Sequence, residues 1–269
     1  MAIGRELPTG TARMLARIEG AAGWIVFNKP ERHNALSRDM WEAIPRLVDA
    51  LSAEPEVRLI VLKGAGDKAF ISGADISEFE AERATPEAVA NYDTLVEHAT
   101  HALATCKRPT IAMIRGHCFG GGVAIAISCD MRIAADDAGF AIPAAKLGIG
   151  YRAPGLKTLV DLVGPSYAKE IIFTARRYSA EEALRMGLVN RVVPAANLED
   201  AINDYAATIA GNAPLTIEAA KGIIGELSRG GEADKACCDA LIERCFTSED
   251  YVEGRRAFME KRRPVFKGR

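Results

Sequence analysis

Apolar positions along the chain fall into two rhythms, one nearly continuous over five to seven residues, the other spaced by three or four. Met14–Glu19 and Ala22–Asn28 read as two strands joined by a Gly-containing turn. Lys29–Asn34 is polar and turn-like, and Ser37 can cap a helix over Arg38–Leu51. Val57–Lys63 (VRLIVLK) is a near-continuous apolar run, the pattern of a strand buried on both faces. GAGDKAF follows as a turn, FISGADISEF contains the next bend, and Pro86–Thr105 has a helical pattern that ends at Lys-Arg-Pro. A second unit begins at Pro109, with a strand over Thr110–Arg115, a glycine-dense turn over Gly116–Gly122 and a small-residue helix over Gly122–Ser128. Strand, glycine turn and helix thus recur at Val57 and Thr110.

Met131–Ala134 and Ala138–Pro143 read as further short strands. Helices are expected over Gly155–Val163, Ser166–Thr174 and Ala180–Met186, with a short strand over Asn190–Val193. From about Leu198 the pattern is almost wholly helical: AINDYAATIA, LTIEAAKGIIGEL and the stretch Asp234–Arg263. The pattern predicts an α/β core over residues 1–199 and a helical region over 200–269. No low-complexity linker separates them, so the tail is expected to pack on its own core or a neighbour's.

Composition narrows the function classes. Lys and Arg total 34 against 36 Asp and Glu, a net charge of −2, which disfavours a bulk electrostatic nucleic-acid binder. The 24 glycines imply many tight turns, whereas 4 histidines leave little material for a histidine-rich metal site. His98 and His101 share a helical face but have no further ligands in the pattern, so no metal is expected. The six cysteines form no C-x-x-C pair, and reduced, packed thiols are expected. MAIGRELPTG lacks the apolar run of a secretory signal, and no stretch reaches ~18 uninterrupted apolar residues, so a cytoplasmic, non-membrane protein is expected.

Neither glycine cluster matches a nucleotide loop. GAGDKAF lacks the GKS/GKT ending and the G-x-G-x-x-G spacing, and HCFGGG lacks a phosphate-binding lysine. Both FISGAD and HCFGGG follow apolar strands, however, so each can expose an amide at a strand end. Gly120–Gly122 also opens a helix whose first N–H groups have no internal partner. Two amides, from Ala74 and Gly121, can clasp one carbonyl oxygen as it gains negative charge, the arrangement an enolate or tetrahedral oxyanion requires. A tight turn needed only for packing explains either cluster taken alone.

Six segments together carry a family resemblance: FNKPERHNALS, FISGADISEF, IRGHCFGGGVAIAISCDMRIAA, FAIPAAKLGI, FTARRYSAEEALRMGLVNRVV and YVEGRRAFMEKRRPVF. In order and spacing they resemble the enoyl-CoA hydratase/isomerase family, the crotonase superfamily, over essentially the whole chain. The resemblance implies an α/β spiral of repeated strand-strand-helix units with a C-terminal helical trimerisation region. It also implies an acyl-CoA ligand, coenzyme A entering as part of the thioester substrate and no other cofactor, and a homotrimer or a dimer of trimers. Carried over residue by residue, it makes Ala74 and Gly121 the oxyanion-hole amides and Asp75 a support for the first loop. Arg32, with backbone around Ser72 and Ala74, is implied at the nucleotide end of CoA. His33 is placed at its entrance, and Phe258 and Lys261 complete the CoA site, commonly from another subunit.

The same resemblance exposes a gap. The two positions at which hydratases of the family carry glutamates are Ala124 and Ala144 here, and a methyl group cannot transfer a proton. Glu78, Glu80, Asp130, Asp136 and Asp137 do not replace that pair by position. His117 precedes the oxyanion turn and reads as packed or solvent-facing. Tyr151, within LGIGYRAPGLKTLVDLVG, is similar to the methylmalonyl-CoA decarboxylase branch, which also lacks both glutamates. Tyr151 and the adjacent Arg152 then become candidates to orient or pair a substrate carboxylate. The expected function is a lyase that stabilises a thioester enolate, by decarboxylating a malonyl-CoA-type substrate. Enoyl-CoA hydration and non-catalytic acyl-CoA binding are the alternatives.

Overall fold

The computed structural model describes residues 4–75, 77–78 and 84–269. Its strands are β1 (Arg5–Leu7), β2 (Met14–Glu19), β3 (Ala22–Phe27), β4 (Leu59–Gly64), β5 (Ala69–Ile71), β6 (Thr110–Ile114), β7 (His117–Phe119), β8 (Met131–Ala135), β9 (Gly139–Ala141), β10 (Tyr178–Ser179) and β11 (Arg191–Val193). Its helices are α1 (Arg38–Ala53), α2 (Pro86–Thr105), α3 (Gly121–Ser128), α4 (Ala144–Leu147), α5 (Ala153–Thr174), α6 (Ala180–Arg185), α7 (Leu198–Ala210), α8 (Pro214–Ser228), α9 (Lys235–Phe246) and α10 (Glu249–Met259).

The strands form two sheets. The larger has the order β1-β2-β3-β4-β6-β8-β11, and the smaller β10-β9-β7-β5. From β3 to β11 the large sheet is parallel, and β5, β7 and β9 are parallel in the small one. Each turn of the chain therefore lays one strand in each sheet and then a helix: β4, β5, α2; β6, β7, α3; β8, β9 and α4–α5. This is the crotonase-type α/β arrangement of repeated strand-strand-helix units followed by C-terminal helices. The smaller sheet lay hidden in segments that read as turns. GAGDKAF contains the start of β5, and the glycine-dense turn contains β7. Three-residue strands are too short to show a period of two, and β5 and β7 pair with each other across more than 40 residues of sequence.

Alternation along β4 divides the core. Ile60 and Leu62 face a large cluster with α1, α2, α3 and the small sheet, while Leu59 and Val61 face a second cluster with Trp24, Ile111 and Ile133. Leu198, Ala201 and Ile202 of α7 cover that second face. The two helices expected over 155–174 join into α5 with a break at Gly164 (φ +74°), followed by Pro165, which donates no hydrogen bond. Ser37 does occupy the N-cap of α1, but its hydroxyl donates to Asp39 at 2.5 Å instead of accepting from the backbone. The stretch Asp234–Arg263 is divided at Ser248, whose Oγ accepts from Tyr251 N at 3.0 Å to start α10. Beyond α10 the tail returns to the body of the molecule. Asp250 accepts from the amides of Lys267 and Gly268, and Arg58 donates to the Phe266 carbonyl. All six cysteines are free thiols. No helix among the described residues is long and apolar enough to cross a membrane.

Candidate functional site

Strands β5 and β7 run parallel and side by side, so the loops that follow them, Ser72–Asp75 and Gly120–Gly121, emerge at the same end. Close approach of α3 fixes the first distance. A Cβ on Gly122 would lie 2.4 Å from the Ile71 carbonyl oxygen, so only glycine lets the helix sit against β5. Gly120 has φ +49° and ψ −109°, a conformation unsuited to an L side chain, and its N–H donates to Ala141 O at 2.9 Å. The loops touch: a Cβ on Gly120 would stand 3.8 Å from Gly73 Cα.

Two amides remain at this junction. Leu36 N donates to Gly73 O and Asp75 N donates to Leu36 O, both at 2.8 Å. In a parallel bridge of this kind the residue between the two bonds turns its own N–H to the opposite side, and that residue is Ala74. Gly121 opens α3, where the first-turn amides have no partner within the helix. Among the described residues, neither the Ala74 nor the Gly121 N–H donates to another backbone carbonyl.

Asp75 anchors the first loop. It accepts from Lys29 Nζ, from Ser77 N at 3.0 Å and from Ser77 Oγ at 2.7 Å. Burial alone would raise its carboxyl pKa, but the hydrogen bonds from Lys29 and Ser77 outweigh that and bring it down to about 2. Asp75 is thus ionised and committed to loop support. Arg32 ends a 3-10 turn, Pro30–Arg32, and its carbonyl accepts from Ser72 Oγ at 3.4 Å, while His33 O accepts from Ser72 N at 3.1 Å. Arg32, His33, Ser72 and Ala74 are therefore adjoining. The His33 ring stands edge-on to His117, which stacks on Phe119 at 4.9 Å. Burial first, then the nearby Arg177 and His33, lowers the His117 pKa, so it is neutral at pH 7.

Ala124 lies one helical turn beyond Gly120, whose carbonyl accepts its N–H at 3.1 Å. It keeps partial solvent access although Val123 and Ile125 are buried. Ala144 is buried and begins α4; Ile149 N donates to its carbonyl. Tyr151 packs half-buried against the main core. Arg152 caps α5, with Nε 3.1 Å from Glu97 Oε1 and Nη1 3.6 Å from Asp93 Oδ2. The guanidinium expected to await a substrate carboxylate already has two protein carboxylates.

Asp93 and Glu97 escaped the sequence reading. Tyr92, Val96, Ala99 and Leu103 form the apolar stripe of α2 and predict the helix, and the two acids sit at i,i+4 beside it, but that pattern does not place them against residue 152. The other carboxylates weighed from sequence serve the scaffold. Glu78 accepts from Arg38 N, Asp130 from Thr110 N and Lys221, Asp136 from Ala195 N, and Asp137 from Gly116 N. Glu80 lies outside the described residues. Among those described, no group of three or more His, Cys, Asp or Glu is arranged to hold a metal ion.

Phe258 and Lys261 come together at the end of α10, where Lys261 N donates to Phe258 O at 3.2 Å. Phe258 is 83% exposed, and among the described residues no hydrogen bond, ion pair or ring contact joins either side chain to Arg32, Ser72, Ala74 or Gly121.

Comparison with known proteins agrees with this architecture. The enoyl-CoA hydratase/isomerase family profile matches residues 17–269. The chain is 36% identical over 249 residues to a short-chain-enoyl-CoA hydratase of Clostridium acetobutylicum, covering 91% of this chain and 94% of that protein. It is 37% identical over 257 residues to a carnitinyl-CoA dehydratase of Proteus mirabilis, with 91% and 94% covered. Among solved structures, an enoyl-CoA hydratase/isomerase family protein of Hyphomonas neptunium superposes with a TM-score of 0.93 at 38% identity, over 97% of this chain and 100% of that one. These similarities give the decarboxylase branch no specific support.

Proposed function

The chain belongs to the enoyl-CoA hydratase/isomerase family, and on that footing we propose that it holds an acyl-CoA thioester with the carbonyl oxygen between the N–H groups of Ala74 and Gly121. The observation that carries this reading is the pair of adjacent parallel strand ends that leaves those two amides without a backbone acceptor. As charge moves onto the thioester oxygen, both donors strengthen their hydrogen bonds and lower the barrier to the enolate. In this reading Arg32 and the Ser72 backbone meet the nucleotide end of CoA. Phe258 and Lys261 come from a second copy in a homotrimer or dimer of trimers. The exposed apolar side chains of α8–α10, Ile224, Leu227, Phe246, Val252 and Met259, support that assembly.

The first reading of the reaction is addition of water to an enoyl thioester, or the reverse elimination, supported by similarity to the Clostridium hydratase and the Proteus dehydratase. Attack at the β-carbon sends the electron pair to the thioester oxygen, and protonation at the α-carbon completes the product. With Ala124 and Ala144 in place, the proton carriers for those steps must come from elsewhere. The same alanines favour a second reading, decarboxylation, in which breaking the C–C bond itself forms the enolate and releases CO2 without a carboxylate base.

Purified protein incubated with crotonyl-CoA, and separately with malonyl-, methylmalonyl- and ethylmalonyl-CoA, with products followed by mass, separates the two. Hydration of crotonyl-CoA without CO2 release upholds the first reading. Decarboxylation without hydration replaces it with the second. No turnover of any of these thioesters overturns both.

A further inference from the structure

The helix that opens at Gly121 ends on a buried cation. Arg132, on β8, is 3% exposed, and its guanidinium meets the C-terminal end of α3. Nη1 donates to Cys129 O at 2.8 Å and to Ala126 O at 3.4 Å, carbonyls of the last turn and its cap. Nε donates to Leu188 O at 2.8 Å, and Nη2 to Asn190 Oδ1 at 3.2 Å. All four acceptors are neutral, and among the described residues no carboxylate forms an ion pair with Arg132. Asp130, two residues away, is committed to Thr110 and Lys221. Burial lowers the Arg132 pKa, but a guanidinium stays protonated in proteins. A buried charge without a counter-ion is costly, and hydrogen bonds to carbonyls alone do not require one.

We infer that Arg132 is a positioning residue for the oxyanion hole, acting through α3 on the field at the Gly121 N–H. The inference rests on the proposed thioester site. α3 carries no charged side chain, and Gly122, Val123, Ile125, Ala126 and Ile127 are buried, so water screens its aligned peptides poorly. A helix alone offers about half a positive charge at its first amides and about half a negative charge at its last carbonyls. That negative end works against an oxyanion held at the other end, about 12 Å away across these eight residues. The guanidinium cancels it and leaves the far end net positive. The same hydrogen bonds fasten α3 to β8 and to Leu188 and Asn190, so the Gly121 amide keeps one direction. At about 15 Å and an effective dielectric constant of about 20, one unit charge changes the stability of an oxyanion by a factor of about five.

Butyryl-CoA labelled with carbon-13 at the thioester carbonyl is saturated and has no second carboxylate, so neither proposed reaction consumes it. Infrared difference spectra of the full chain read its carbonyl stretch, which the two amides should lower on binding. Arg132→Gln should shrink that downshift and lower kcat about fivefold on whichever thioester is turned over, with KM little changed. Arg132→Lys keeps the charge and loses the planar fork, and should restore most of both. Should the glutamine variant fail to fold, Ser128→Asp tests the same field with Arg132 in place. Ser128 is half-buried in the last turn of α3, and Ser128→Asn is the neutral control. The aspartate should shrink the downshift relative to the asparagine. Equal carbonyl frequencies and equal kcat in that pair, or a wild-type frequency in a folded Arg132→Gln, would overturn the inference and leave Arg132 as scaffold. No binding, or no downshift in the wild type, overturns the thioester reading itself, and the inference falls with it.

Discussion

The glycine loops at the ends of β5 and β7 and the wall formed by α2 and Arg152 are made of different material. The first wall is backbone. Its donors are peptide N–H groups, placed by strand pairing and by a glycine that no larger residue can replace. The second is side chain: a guanidinium and two carboxylates held across more than 50 residues of sequence, with Arg152 54% exposed. A backbone wall keeps its geometry whatever the acyl group, whereas a side-chain wall can change its charge by one substitution. Backbone geometry thus fixes one part of this fold, and paired charge fixes the other.

Removing one donor from the backbone wall gives the largest expected effect. Gly121→Pro deletes the N–H at the first position of α3, where proline is otherwise well tolerated in a helix. Gly121→Ala is the steric control, since it adds a Cβ 3.1 Å from Leu36 Cδ1 and 3.2 Å from Trp41 Cζ2 but keeps the donor. Relative to that control, Gly121→Pro should lower kcat by about 10²–10³-fold on whichever thioester is turned over, with the circular dichroism spectrum retained. Equal activity in the two variants would remove Gly121 N–H from the oxyanion hole.

The support beneath that wall comes next. The Asp75 pKa in the folded chain is about 2, against an ordinary 3.8. A carboxylate lowered in this way stabilises the fold fully above its ordinary pKa, and that contribution is lost as pH falls from about 4 toward 2. Asp75→Asn should therefore cost on the order of 2 kcal/mol at neutral pH, read from denaturant melts, with the gap to the wild type closing over that acid window. A gap that persisted unchanged near pH 2 would show that shape at the loop, and not charge, holds it.

The two walls also differ in how much of them the sequence discloses. FISGAD and HCFGGG name the loops directly, because backbone geometry that excludes side chains leaves glycine as its trace. Ala74 and Gly121 could be singled out from their place in those segments. β5 and β7, which bring the loops together, left no trace of their own, since three residues fit a turn as well as a strand. Arg152 drew attention only as a free cation, because its partners lie on a helix whose strong signal is apolar. Tyr92, Val96 and Ala99 predict α2, while nothing local says which charged flank of it meets residue 152. Ion pairs between distant, partly exposed groups have no sequence period, so their partners emerge only from the fold.

The smallest expected effect concerns what the side-chain wall does for stability. Arg152 bridges the start of α5 to α2, yet solvent reaches more than half of its side chain, and Asp93 and Glu97 are also partly exposed. Exposed pairs gain modest Coulomb energy and give up side-chain freedom, so Arg152→Gln should change the unfolding free energy by less than about 1 kcal/mol. Arg152→Lys should keep that small contribution, because the charge remains even though the planar fork is lost. The comparison of walls is sharpened if Arg152→Gln leaves the melt nearly unchanged. It is broken if Arg152→Gln destabilises the chain as much as Asp75→Asn. In that event the ion pair is a strut between α2 and α5, and both walls are scaffold.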